Sequence, residues 1–205
     1  MTNRLVVAYF GDHDSMIELA ALVDTPETMV IAVALDVGQG ALLGELRDSA
    51  LASGAARCHA LDVREDFVRE VLIPSARSGF ATEPEARLGA LASAFVTRTL
   101  REVAKIEHAT AVPVASGRTW RRPVRPRTTG PACLDLRFED GEPVALNEIP
   151  MAAGELAESL EIISGVSAVD VLQLAYRELG DLREGCVMLR TGDGLRAVAS
   201  EVVDR

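Results

Sequence analysis

This sequence offers little for cross-linking, membrane insertion or nucleic-acid binding. Cysteine occurs three times. Cys58, Cys133 and Cys186 are far apart, with no C-x-x-C pair and no Cys/His spacing, which argues against a disulfide framework and a structural zinc site and points to a reducing compartment. No apolar run approaches the roughly 20 residues of a membrane-spanning helix. The stretch before Gly11 holds too few apolar residues for a signal peptide, so a cytoplasmic protein without membrane contact is expected. Basic residues are outnumbered, 21 Lys and Arg against 31 Asp and Glu, for a net charge of −10. A nucleic-acid backbone would be repelled, and no nucleic-acid partner is expected. Histidine is sparse too: His13, His59 and His108 fall in unrelated segments, so no metal site is expected, and His13 reads as a solvated loop residue. Internal repeats and low-complexity tracts are missing.

What is present is ample apolar content, 48% of 205 residues, and a regular alternation of patterns. Residues 5–9 form a short apolar run that breaks into the polar loop Gly11–Asp14. Met16, Ile17, Leu19, Ala20 and Leu22 then recur at helical spacing. A strand, a tight turn and a helix N-terminus in succession make a natural anion site, because the first N–H groups of the helix lack internal partners. Residues 28–35 are continuously apolar, as in a strand buried on both faces of a parallel sheet. A turn at 36–40 follows, then a helix over 41–53 with Leu43, Leu46, Ala50 and Leu51 inward and Gly54 closing its end.

A third strand is predicted at 55–61, a helix at 64–72 that stops before Pro74, an irregular charged stretch at 75–87, a long helix at 88–106 and a short strand at 110–114. Alternating strands and helices imply parallel pairing through right-handed crossovers, hence a doubly wound α/β sheet. Ligands on such sheets sit beyond the carboxyl ends of the strands, where the loops at 10–15, 36–40 and 115–122 fall. Residues 116–131 then change character, with Arg118, Arg121, Arg122, Arg125 and Arg127 around the single Trp120. Beyond them come a hairpin (133–138 and 143–146), an amphipathic helix at 151–163 with Glu155–Glu161 on its wet face, a helix at 168–179, and a second hairpin (184–190 and 195–203) about Thr191–Gly194. Three segments result: an α/β domain over 1–116, an Arg/Pro-rich connector over 117–131, and a small α+β unit over 132–205. Cys58 and Cys133 lie on apolar strands and read as core thiols.

Several stretches carry a resemblance. Ala8-Tyr9-Phe10-Gly11-Asp12-His13-Asp14-Ser15-Met16 is similar to the A-Y-S-G-G-L-D-T-S loop of argininosuccinate synthases. Leu35-Asp36-Val37-Gly38-Gln39 matches their A-D-V-G-Q, and Gly141-Glu142-Pro143-Val144-Ala145-Leu146-Asn147 their G-x-P-V-A-L-N. Further echoes are Asp62–Val68 with Ile73-Pro74, and the closing hairpin. The chain thus resembles a shortened, divergent argininosuccinate synthase of the ATP-pyrophosphatase group. The resemblance implies a Rossmann-like nucleotide domain followed by part of a synthetase domain. It also implies an AMP-forming ligase chemistry, in which citrulline is adenylated by ATP and aspartate displaces AMP.

By that resemblance Ala8, Tyr9, Phe10, Gly11, Asp14, Ser15, Leu35 and Gly117 fall at the nucleotide positions and Arg118 and Arg125 at substrate positions. The implied cofactor is ATP, weakly bound with Mg, and the implied assembly a homo-oligomer, taken as a dimer. No residue is assigned a catalytic role. The leading serine of the phosphate loop is Phe10 here and its second glycine is Asp12, so a carboxylate stands where phosphate should approach. Two readings of the loop stay open: a weakened nucleotide cradle, or a turn in which Asp14 caps the helix. The arginine cluster likewise reads as an anion or partner site, or as a solvated connector. Functionally the sequence admits a ligase with weakened or lost activity, a non-catalytic interaction or regulatory module, and a repurposed ATP-dependent ligase.

Overall fold

In the computed structural model, residues 3–39, 42–78, 84–114, 131–192 and 194–201 are described. By internal contacts the chain divides into two compact units, one of 1–64 with 92–119 and one of 65–91 with 120–205.

The first unit is built on a parallel sheet of order β3-β2-β1-β4. Strand β1 (Asn3–Tyr9) pairs in register with β2 (Thr28–Asp36) from Asn3 opposite Thr28 to Tyr9 opposite Ala34. Strand β3 (Arg57–Asp62) extends the sheet beyond β2, and the two-residue β4 (Thr110–Ala111) pairs with Leu5 and Val6 on the other side of β1. Every residue of β2 from Val30 onward is buried, as a continuously apolar central strand requires. Helices α1 (His13–Val23) and α2 (Leu43–Ala52) cover one face, where Val7, Tyr9, Val30, Ala32 and Ala34 pack with Leu19, Leu46 and Ala50. Helix α1 turns Ser15 and Leu19 inward, while Met16 and Ile17, which share its apolar period, face solvent.

A helical stretch runs from Arg64 to Arg77: α3 (Arg64–Phe67), a π-helical turn (Val68–Leu72) and α4 (Ile73–Arg77). The helix expected to stop before Pro74 therefore continues through it. Pro74 occupies the first turn of α4, where its missing N–H is not needed, and the wider π turn precedes it. Of residues 1–116, expected as one domain, 65–91 groups with the second unit. The long α5 (Pro84–Glu107) crosses that division.

The second unit holds an antiparallel sheet of order β7-β6-β5-β8-β9. Its strands are β5 (Cys133–Glu139), β6 (Glu142–Leu146), β7 (Ile149–Pro150), β8 (Gly185–Arg190) and β9 (Arg196–Glu201). Asp140 and Gly141, both with positive φ, make the two-residue β5–β6 turn, the geometry that suits hairpin twist. Helices α6 (Ala153–Ser164) and α7 (Ala168–Leu179) bury Leu156, Leu160, Val171 and Leu172. Phe138 and Tyr176 meet edge to face at 5.2 Å. Cys133, expected in the core, is exposed, because β5 alternates and its odd positions lie on the solvent face. Among the described residues no single helix is long and apolar enough to cross a membrane.

Candidate functional site: the β1–α1 loop

The register that sets Tyr9 beside Ala34 carries the loops after β1 and β2 to the same edge of the sheet. The third loop expected there, 115–122, lies outside the described residues, as do Gly117, Arg118 and Arg125.

The loop after β1 is closed by its own side chains. Asp12 is the N-cap of α1: its Oδ1 accepts from the Ser15 N–H at 2.9 Å. Ser15 Oγ donates to the Asp12 carbonyl at 3.0 Å and accepts from the Phe10 N–H at 3.3 Å. The cap is thus Asp12, and not Asp14 as expected. Asp14 sits two residues too late, inside the first turn of α1 and exposed. The pattern Asp-x-x-Ser at the start of a helical period was the available signal.

Gly11 is required by geometry. Its φ is 74°, and a Cβ there would stand 2.5 Å from Leu46 Cδ2. Behind the loop, Ala8, Tyr9 and Phe10 are buried, and the Tyr9 hydroxyl lies 2.7 Å from Ser49 Oγ. Ser15 and Leu35 are both fully buried. Of the described residues expected at the nucleotide, Gly11 and Asp14 are therefore the ones at the surface, and Ala8, Tyr9, Phe10, Ser15 and Leu35 are buried behind them.

The loop after β2 is equally self-contained. Asp36 Oδ1 accepts from the Gly38 N–H at 2.7 Å, and its other oxygen lies 3.6 Å from Arg64 Nε. Gln39 accepts from the Val37 N–H at 2.8 Å and donates to the Leu35 carbonyl at 2.6 Å. The Asp-Val-Gly-Gln stretch is thus a turn in which both polar side chains hold backbone groups. On β3 of the same edge, the Arg64 guanidinium beside Asp62 holds that carboxyl below its usual range.

An unpaired helix N-terminus attracts an anion, and here the anion is supplied from within by Asp12. Asp14 adds a second negative charge to the same turn, so an incoming phosphate meets two carboxylates. A parallel sheet with such a loop is matched by the family model of the arginosuccinate synthase N-terminal HUP domain, over residues 4–121. The chain belongs to this family. Argininosuccinate synthases from Carboxydothermus hydrogenoformans and Moorella thermoacetica are 38% and 39% identical to it over 113 residues. That match covers 55% of this chain and 28% of each relative. The synthase of Desulfatibacillum aliphaticivorans is 37% identical over 111 residues, again 28% of its length. Against the synthase pattern quoted above, Phe10, Asp12 and Met16 stand where it has Ser, Gly and Ser, while Gly11 and Asp14 remain and Ser15 keeps a hydroxyl in place of its threonine.

Proposed function

We propose that this chain is an argininosuccinate synthase-like protein in which nucleotide affinity is weak and ATP-dependent citrulline–aspartate ligase activity is reduced or lost. The observation that carries the reading is the 2.9 Å bond from the Ser15 N–H to the Asp12 carboxylate. It spends on an internal anion a donor that a phosphate cradle needs. Two unit charges about 4 Å apart in an effective dielectric of 20 repel by roughly 4 kcal/mol, equivalent to about three decades of affinity. Magnesium bridging the carboxylate and a phosphate offsets part of that repulsion, so ATP is the proposed ligand only together with its cation.

The test is calorimetric titration of ATP and AMP, with and without magnesium, into the wild-type chain and Asp12→Gly. Millimolar or weaker binding by wild type and a gain of two to three decades in the variant support the reading. Micromolar ATP binding by wild type, or pyrophosphate release with citrulline and aspartate at a rate normal for a ligase, overturns it. If neither protein binds nucleotide, the second reading, a non-catalytic interaction module on the same fold, takes its place.

A further inference from the structure

The hairpin that closes the second unit carries an arrangement unrelated to the loop after β1. Arg190 at the end of β8 and Arg196 at the start of β9 are directly opposed across the antiparallel pair. Residues so opposed project from one face with Cβ atoms roughly 5 Å apart, and like charges there repel. Strand β8 buries Val187 and Leu189 and exposes Met188 and Arg190, so the two arginines share the solvent face. Neither guanidinium has a hydrogen-bond or ion-pair partner among the described residues. In a chain of net charge −10, carboxylates to neutralise such a pair are plentiful, yet among the described residues none pairs with either arginine.

The two arginines line a cleft of about 670 Å³ together with Pro131, Thr191, Gly192 and Gly194. Its floor is fixed. Thr191 donates its N–H to the Ala132 carbonyl at 2.9 Å, and its hydroxyl accepts from the Ala132 N–H at 2.9 Å. The glycines keep the cleft open: a Cβ on Gly192 would crowd Pro131 at 3.3 Å, and φ is 140° at Gly192 and 113° at Gly194.

We propose that this cleft binds a phosphate dianion, free or carried by a small phosphomonoester. Two forked guanidiniums each offer paired N–H donors. A carboxylate, with two oxygens and one charge, is used up by one fork. A phosphate, with three terminal oxygens and nearly two charges, serves both and cancels the repulsion between them.

The experiment uses the full chain, titrated with inorganic phosphate, glycerol phosphate and acetate, and read by thermal midpoint and by the amide resonances of Gly192 and Gly194. Wild type is expected to gain stability and shift both resonances with either phosphate, and to respond far less to acetate. Arg190→Gln/Arg196→Gln should weaken phosphate binding at least tenfold. Relieved of repulsion, that variant should melt no lower than wild type without phosphate, which shows that it folds. Tighter binding of the ester makes a phosphorylated metabolite the ligand; tighter binding of inorganic phosphate makes the free ion the ligand. Unmoved Gly192 and Gly194 amides, an equal response to acetate, or a double variant that binds phosphate like wild type overturns the site.

Discussion

Asp12 and Gly11 are adjacent and answer to different constraints. Asp12 is a chemical choice: glycine caps a helix nearly as well, so Asp12→Gly should cost only a few tenths of a kcal/mol in stability while opening the turn to phosphate. Gly11 is a steric necessity. Gly11→Ala should destabilise the first unit by roughly 1–3 kcal/mol, since the new methyl meets Leu46 and the residue stays in the left-handed region. Urea unfolding at neutral pH measures both. At this scale the sequence was legible where one residue type fits one position, as at Gly11. It was ambiguous where two candidates stood two residues apart. Asp12 and Asp14 both suit a helix start, and only the Ser15 N–H, pointing back to Asp12, decides between them. Cys133 misled for a similar reason: in an alternating strand the identity of a residue does not say which face is wet.

Helix α6 shows how an element borrows what its own sequence lacks. Its N-cap is Ala152, which offers no side-chain bond. The Gly154 N–H donates instead to Glu65 Oε2 at 2.8 Å, from α3, and Arg69 holds the other oxygen at 2.8 Å. Partial burial works to raise the Glu65 pKa, and these bonds outweigh it, holding the carboxyl below its ordinary value of 4.5. Glu65→Gln should destabilise the second unit by about 0.5–1 kcal/mol, read from the denaturation midpoint of that unit. No sequence period could reveal this cap, because donor and acceptor are 89 residues apart. The elements themselves were far more legible. The helix at 168–179 and both hairpins follow from local periodicity and turn residues. The helix through Pro74 did not, since a π turn has no compositional mark and proline is the stronger local signal.

Across the whole molecule, acid should be the destabilising condition. Asp62, Glu65 and Glu107 all have folded-state pKa values below their ordinary 3.8 or 4.5. A lowered carboxyl contributes stability that is fully present above the unfolded value and is lost as pH falls through the folded one. Scanning calorimetry should therefore show a flat midpoint from pH 7 to about 5 and a steady fall below about 4.5. Glu107→Gln should lower the midpoint at neutral pH and make that fall shallower. A midpoint that rises below pH 4.5 would contradict the assignment. The architecture, an α/β domain and a smaller α+β unit, could be read from the alternation of patterns. The grouping of 65–91 with the second unit could not, because it rests on contacts distant in sequence.

Glu107, the last residue of α5, gathers two guanidiniums and an imidazole around its carboxylate. Its carboxylate takes Arg4 Nη2 at 2.8 Å from β1, Arg57 Nη1 at 3.1 Å and His59 Nε2 at 2.8 Å from β3, reaching across the intervening β2. One acid thus ties the edge strand to the final turn of a helix that is remote from it in the chain. Edge strands normally fray first, and their amides exchange with solvent by small local openings. Here the amides of β3 and of the last turn of α5 should exchange together, with matching protection, and Glu107→Gln should uncouple them so that β3 alone becomes fast.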